Sequence, residues 1–161
     1  MDVWRHFSAS GRRHEFGRLS TNKPFLIIRD SGDSNKQITA DGTVLASDGW
    51  THIHGVYDDS TDTGYVYIDG TQSGVRGTIP GPSPSTSTSP NIVGQSGVSS
   101  NYLDAIIDEL RVTNDTKSAN WVQTEYNNFN DVSSFITTGT QEEEGAAVVT
   151  GYKYMTLLGV G

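Results

Sequence analysis

The stretch GWTHIHGVYDDSTDTGYVYIDGTQSG, residues 49–74, decides the fold. Two runs rich in aromatic and β-branched side chains, Trp50–Tyr57 and Tyr65–Ile68, have the composition of β-strands. An acidic knot, residues 58–62, lies between them, and the tight-turn pair Asp69-Gly70 follows the second run. Together with the residues that come after this pair, the stretch predicts three antiparallel strands joined by two hairpin turns.

The acidic knot admits two interpretations. Oxygen-bearing side chains recur at alternate positions, Asp58, Ser60 and Asp62, and calcium prefers such hard ligands. The glycine that would bend a calcium loop stands one place late, at Gly64, and no glutamate follows at the spacing of a helix–loop–helix site. Asp and Ser side chains also bond the backbone of tight turns. The pattern indicates a hairpin turn first and a calcium site second, and calcium is the only cofactor it suggests.

Two histidines lie on one face of the first strand. Because side chains alternate along a strand, Trp50, His52, His54 and Val56 share this face. Two histidines so placed could pair on a metal ion. The sequence shows no third ligand, and it therefore favours a structural role for both.

The rest of the chain predicts further strands and one helix. Phe25–Ile28 is typical of a buried strand, and Lys36–Ala46 predicts two weaker strands around an Asp-Gly turn. Asn91–Gly94 predicts another, and the alternation in Tyr102–Thr113 is the strongest in the chain. Ser118–Asn128 predicts the single short helix, because a serine N-cap precedes apolar residues at i, i+4 and i+7.

The composition fits an all-β domain. The chain has 161 residues, of which 34% are hydrophobic, and it is rich in the small polar residues and glycine that occupy turns. It contains no cysteine, which excludes a disulfide scaffold, a thiol nucleophile and a cysteine-based zinc site. Neither a signal peptide nor a membrane-spanning segment is expected, since Met1–Ser20 lacks an apolar core and no run reaches ~20 apolar residues.

The charge is divided unevenly along the chain. Residues 1–36 hold seven basic and four acidic side chains, a balance of +3, whereas residues 37–161 hold four and fifteen, a balance of −11. No basic stripe carries interleaved aromatic residues, and so nucleic acid is not an expected partner. The basic residues 1–36 could bind the acidic residues 37–161 of a neighbouring copy. Alternatively, they form an ordinary solvated face.

Composition divides the chain into four parts. Residues 1–24 are an N-terminal arm or the first strands, and residues 25–137 are the main domain. An acidic hinge, 138–145, separates this domain from an apolar C-terminal tail, 146–161. Within the domain, Thr78–Pro90 holds four of the five prolines and predicts a long exposed loop.

Four motifs in order, GWTHIHGVYD, GYVYIDGTQ, IDELRVTN and ANWVQTEYNNFND, resemble one family. They are similar to the laminin-G-like, concanavalin A-like jelly-roll domains of bacterial, archaeal and phage surface proteins. The resemblance covers about Phe25–Phe135, and it implies an antiparallel β-sandwich of jelly-roll type with one short helix. It also implies that the histidine of the Trp-x-His strand belongs to the packing pattern.

Two departures from the family affect the assembly. Fewer strands than usual are expected before the Trp-x-His strand, and the tail 146–161 has no counterpart. The domain is therefore either a trimmed jelly roll or one that a neighbour completes by lending a strand.

Catalysis is not expected. The resemblance extends to glycoside hydrolases whose pattern is Glu-x-Asp-x-Glu on one strand, which places carboxylates on the same face. In the corresponding stretch of this chain, residues 105–109, Ala105 occupies the position of the first carboxylate. Asp108 and Glu109 point to opposite faces of the predicted strand, and Glu109 shares a face with Arg111, which predicts an ion pair. No nucleophile elbow, zinc-protease motif or phosphate-binding glycine loop is present.

Several residues could bind a glycan. Trp4, Trp50 and Trp121 could stack on sugar rings, but Trp50 and Trp121 are expected in the core. The candidates by exposed position are Tyr102, Ser85 and Thr86.

The sequence therefore predicts a non-catalytic structural or surface-binding module. The first hypothesis is a virion (phage) decoration, fibre or tail-associated protein with glycan binding, located on a virion or extracellular surface. Its partners would be other virion or surface proteins, or further copies in a homo-oligomer assembled through the C-terminal tail. The alternative is a free carbohydrate-recognition or cell-adhesion domain, either dependent on calcium or independent of it. A glycoside hydrolase is the third hypothesis.

Overall fold

A computed structural model describes residues 2–8, 11–29, 34–79, 91–95, 102–131 and 133. The described strands are β1 (Asp2–Ser8), β2 (Gly11–Arg18), β3 (Pro24–Arg29), β4 (Asn35–Thr39), β5 (Ile53–Asp58), β6 (Thr63–Ile68), β7 (Thr71–Arg76) and β8 (Asn91–Val93). A 3-10 turn spans Ala46–Asp48, and the helix α1 spans Ala119–Asn130. The predicted helix and its serine N-cap are confirmed, because the amide of Trp121 donates to Ser118 Oγ at 3.2 Å.

The strands form two antiparallel sheets. One has the order β4-β3-β2-β1-β8, and the other has the order β5-β6-β7. The predicted all-β sandwich is confirmed, and the residues before the Trp-x-His strand supply four strands of the larger sheet. Residues 1–24 therefore contribute β1 and β2 to the sandwich.

The main core lies between the two sheets. It contains Leu26 and Ile28 of β3, Ile38 of β4 and Val66 of β6, together with Ile79. Apart from Ile79, which follows β7, these aliphatic side chains come from strands of both sheets. The facing sides of the two sheets are thereby removed from water. Packing of the sheets against each other is thus the main source of hydrophobic stabilisation.

A second, smaller core lies on the outer face of the three-stranded sheet. Val56 of β5 and Tyr67 of β6 pack against Val122 of α1, which is fully buried. This packing confirms the predicted alternation in β5 and β6, since residues on the opposite face of the same strands, Tyr57 and Val66, belong to the main core. The helix therefore covers the β5 face that carries the two histidines.

Both predicted hairpin turns are present. Residues 59–62 connect β5 to β6, with Asp58 paired to Thr63, and Asp69-Gly70 connects β6 to β7. Asp69 and Gly70 have φ angles of 50° and 74°, which a two-residue type I′ hairpin turn requires. Gly70 also lies under α1, where an added Cβ would stand 3.1 Å from the Cα of Gln123.

Two strand predictions were wrong. Tyr102–Thr113 forms no strand, and among described residues its sheet-like pairing is confined to an isolated bridge between Gln95 and Tyr102. The left-handed backbone of Glu109, with φ of 54°, interrupts any extended run through the segment. Lys36–Ala46 holds only β4, because the chain after residue 39 enters a bend and a 3-10 turn.

Three predictions concern residues outside the described part of the chain. These are the loop Thr78–Pro90 beyond Ile79, the acidic hinge 138–145 and the apolar tail 146–161. No helix within the described residues combines the length and apolar character needed to cross a membrane.

Candidate functional site

Two histidines and one glutamate meet between β5 and α1. His52 precedes β5, His54 lies within it, and the alternation of the strand directs both side chains toward the helix. His52 Nε2 lies 3.4 Å from Glu125 Oε2, and His54 Nδ1 lies 3.3 Å from the same oxygen. One potential ligand atom from each residue lies within 4.8 Å of the others, and all three residues are half-buried.

Aromatic rings hold the two imidazoles in place. The ring of His52 stacks on Phe129 with centroids 6.4 Å apart and lies 6.1 Å from Tyr126. The ring of His54 meets Trp121 edge-on at 5.8 Å. All three aromatic residues belong to α1, so the helix that supplies Glu125 also fixes the histidines.

Arg111 connects the Glu125 carboxylate to the surface. Arg111 Nη1 lies 3.3 Å from Glu125 Oε1, and Arg111 Nη2 lies 2.9 Å from Glu109 Oε2. The ion pair predicted between Glu109 and Arg111 is therefore confirmed. Both of its side chains are 53% exposed, whereas Glu125 is only 10% exposed, and so the Glu125 contact is the less screened of the two.

Burial determines the charge state of His54. Desolvation lowers the pKa of its imidazole below the ordinary value, and this effect outweighs the opposing influence of the Glu125 carboxylate. His52 and Lys117 lower the pKa further by repulsion between like charges. Burial therefore favours the neutral form of the His54 imidazole. The Nδ1 of His52 is buried without a hydrogen-bond partner.

A pocket opens beside this cluster. Its volume is about 290 Å³, and its lining residues are Arg111, Trp121, Thr124, Glu125, Asn128 and Phe129. Two aromatic side chains are accessible at the pocket, since Trp121 is 38% exposed and Phe129 is 48% exposed. Lys117 Nζ lies 4.7 Å from the Trp121 ring centroid, and the Arg111 guanidinium lies 5.5 Å from the centroid of Phe129. The pocket therefore combines aromatic surface with cationic and polar groups.

The acidic knot lies at the opposite end of β5 from the histidines and closes its hairpin. Asp58 Oδ1 accepts from the Ser60 amide at 3.0 Å and from Ser60 Oγ at 2.7 Å, and Asp58 Oδ2 accepts from Thr61 Oγ1 at 2.9 Å. These bonds, first those from Ser60 and then those from Thr61, lower the pKa of Asp58. The Tyr57 hydroxyl lies 3.1 Å from Asp62 Oδ1. The hairpin-turn interpretation is confirmed, and calcium at Asp58, Ser60 and Asp62 stays a prediction.

The expected positions of two tryptophans were wrong. Trp50 is 71% exposed because β5 begins three residues later, at Ile53, and leaves this ring beyond the end of the sheet. Trp121 is partly exposed at the pocket rather than enclosed in the core. The side chain of Trp4 lies outside the described part of the structure.

The other predicted ligand residues remain predictions. Tyr102 is exposed, and it does not line the pocket. Ser85 and Thr86 lie outside the described residues. Asp108 is exposed, and Glu109 contacts Arg111.

Glu125, the third member of the histidine cluster, is absent from the site residues that the sequence predicts. Glu125 lies three residues after Val122, and positions separated by three share a helix face. The predicted apolar face of the helix included Val122, and so its spacing already placed Glu125 beside that face. What the spacing could not show is that this face would pack against the histidine face of β5.

Comparison with known proteins agrees with this architecture. A sequence model of a laminin-G family, described as the concanavalin A-like lectin/glucanases superfamily, matches residues 2–123. The chain belongs to this family. The match begins at β1, earlier than the resemblance at Phe25 indicated, and it ends within α1.

Matches to individual proteins are sparse. No curated protein matches the chain. Among solved structures, the chain is similar to an S-layer domain-containing protein (residues 221–444) from Clostridium thermocellum, with 25% sequence identity and a TM-score of 0.44. The match covers 78% of this chain and 62% of that one, so the chain corresponds to less than two thirds of the solved structure.

Proposed function

We propose that the chain is a non-catalytic binding module of a virion or other extracellular surface, and that it recognises glycans at the pocket beside α1. The observation that carries this proposal is the exposed aromatic surface of Trp121 and Phe129, next to polar groups in the same pocket. Membership in a lectin-containing superfamily supports a surface or binding module.

The pocket offers the contacts that an oligosaccharide needs. The apolar face of a sugar ring can lie on an aromatic ring, while its hydroxyls need donors and acceptors at the rim. Trp121 and Phe129 supply the aromatic surface that the Lys117 and Arg111 side chains leave uncovered. Arg111, Thr124 and Asn128 supply the polar groups. The guanidinium of Arg111 donates only. The amide nitrogen of Asn128 also donates, whereas its Oδ1 is buried without a hydrogen-bond partner.

The same lining favours binding over hydrolysis. Most glycoside hydrolases use two carboxyl groups that flank the scissile bond. Within the described residues, Glu125 is the only carboxylate that lines this pocket, and it contacts Arg111 and the two histidines. A second carboxylate would have to enter the pocket before the chain could act by that mechanism.

A glycan array of the purified full chain tests the proposal, with Trp121→Ala as the test variant. Trp50→Ala is the matched control, because Trp50 is 71% exposed and does not line the pocket. Trp121→Ala should weaken a specific hit by about tenfold, equivalent to about 1.4 kcal/mol, and Trp50→Ala should leave it unchanged. Absence of any hit, or equal binding by the two variants, would refute the glycan proposal. Arrays with and without calcium distinguish the two glycan-binding hypotheses. A hit that is lost when calcium is removed would favour the calcium-dependent adhesion domain.

A second candidate function is a structural subunit that assembles with further copies of itself. The observation that favours it is the exposed apolar segment between residues 106 and 112, in which Ile106 is 80% exposed and Val112 is 62% exposed. Exposed apolar segments of this kind mark interaction sites. The occupant we propose is a second copy of the chain, because the basic balance of residues 1–36 complements the acidic balance of the remainder.

Light scattering across a range of protein concentrations tests self-assembly. The double change Ile106→Lys with Val112→Lys should shift the chain toward monomer, because it places two ammonium groups in the apolar contact. Val75→Lys is the control, since Val75 is 57% exposed on β7. A monomeric unmodified chain at every concentration, or an oligomer that the double change leaves intact, would exclude this interface.

A further inference from the structure

The cluster of His52, His54 and Glu125 has the dimensions of a metal site. In a tetrahedral zinc site with bonds of 2.0–2.1 Å, neighbouring ligand atoms lie about 3.3 Å apart. The two nitrogen–oxygen distances in the cluster are 3.4 Å and 3.3 Å, and the full set of ligand atoms spans no more than 4.8 Å. We propose that these three residues bind a divalent transition-metal ion, and that zinc is the ion they favour.

The donor set selects the type of metal. Two imidazole nitrogens and one carboxylate oxygen suit zinc, cobalt or nickel, whereas calcium and magnesium prefer oxygen donors throughout. Three protein ligands leave one coordination position for water or for a ligand of the module. This chemistry is distinct from the calcium predicted at Asp58, Ser60 and Asp62, because those side chains offer oxygen atoms only.

The surroundings already orient the ligands. Glu125 directs Oε2 to both histidines while its other oxygen, Oε1, lies 3.3 Å from Arg111 Nη1. The carboxylate can therefore bind a metal through one oxygen and keep its contact with Arg111 through the other. Outer-shell contacts of this kind hold metal ligands in position and tune the affinity.

The rings of the two histidines are also constrained. His52 packs against Tyr126 and Phe129, and His54 packs against Trp121. Ligands that are ordered by packing lose less conformational entropy when the metal binds. The ligand atoms are His52 Nε2, His54 Nδ1 and Glu125 Oε2, since these are the atoms that converge.

This proposal stands apart from glycan binding. The metal ligands include only one residue of the pocket lining, Glu125, and metal binding is measured without any glycan. Failure of the glycan array therefore leaves the metal proposal intact, and failure of the metal titration leaves the pocket proposal intact.

Calorimetric titration of the full chain with zinc, after chelator treatment and without a polyhistidine tag, tests the site. The chain should bind one zinc ion, and cobalt in its place should give the intense visible absorption of a tetrahedral site. Glu125→Gln and His54→Gln should weaken zinc binding by more than the roughly 10- to 100-fold typical of outer-shell changes.

Glu109→Gln is the matched control, because Glu109 contacts the same arginine but lies outside the cluster. Circular dichroism establishes that each variant is folded, and the titration is interpreted for folded variants only. If Glu125→Gln fails to fold, His54→Gln decides. The proposal is overturned if the folded chain binds no zinc at micromolar concentration, or if the ligand variants bind it as tightly as Glu109→Gln.

Discussion

The three-stranded sheet β5-β6-β7 and the segment Tyr102–Thr113 have similar sequence patterns and different structures. Both alternate large apolar and polar side chains, as strands do. In the sheet, each residue from Ile53 to Asp58 pairs with a residue of β6, and Val66 is fully buried. In the segment, Ile106 and Val112 are exposed, and the segment contributes no named strand to the described sheets.

The difference shows that alternation identifies a surface able to form a strand but does not supply a partner. A strand is stabilised when its backbone groups pair along their length and one face is buried. The hairpin turns at residues 59–62 and 69–70 bring β5, β6 and β7 together locally. Among the described residues, the segment pairs with a neighbour only at the bridge between Tyr102 and Gln95. Further pairing of the described part of the segment would need distant parts of the chain or another molecule.

The largest expected effect comes from comparing matched valines in the two regions. Val66→Ala should lower the free energy of unfolding by about 2–3 kcal/mol, because two buried methyl groups are lost and a cavity remains. Val112→Ala should lower it by about 0.5 kcal/mol or less, since Val112 is 62% exposed. Urea denaturation of both variants measures the difference. A comparable loss of unfolding free energy in Val112→Ala would mean that the segment is buried in solution. It would contradict the difference between the two regions.

A smaller effect is expected from matched tyrosines. The hydroxyl of Tyr57 lies 3.1 Å from Asp62 Oδ1 and 3.0 Å from the Ile79 carbonyl oxygen, so Tyr57→Phe should lower the free energy of unfolding by about 1 kcal/mol. Tyr102→Phe is the control, because the side chain of Tyr102 is exposed. Chemical denaturation compares the two variants, and equal losses would contradict a special role for the Tyr57 hydroxyl.

The same tyrosine predicts a dependence on alkaline pH. Burial, followed by the hydrogen bond to Asp62, raises the pKa of Tyr57 to about 12. Because folding raises this pKa, the protonated phenol stabilises the folded state below the ordinary value of 10.0, and that contribution is lost as the pH rises toward 12. Ultraviolet titration of phenolate should show one component near pH 12 that Tyr57→Phe removes. Persistence of that component in the variant would assign it to another tyrosine.

Much of the fold could be predicted because its signals are local. The Asp69-Gly70 turn needs left-handed backbone at both positions, and the helix begins at a serine that caps it, so both follow from neighbouring residues. Trp50 was placed wrongly because burial of a residue at the end of a strand depends on where the facing elements stop. Neither the turn pair nor the helix cap shows which surfaces, remote in sequence, will pack against each other.

The candidate site likewise combines features that local sequence predicts with contacts that only the tertiary structure shows. Alternation alone put His52 and His54 on one face of a strand, because the period of a strand is fixed by its backbone. Only the tertiary structure brought Glu125 to them, since that contact requires α1 to cross the outer face of the sheet. It also brought Arg111 to Glu125. The sequence by itself determined the strands β5, β6 and β7, their hairpin turns and the helix cap, whose physical causes act over a few residues. The tertiary structure decided which faces meet, because that depends on how well whole surfaces pack together.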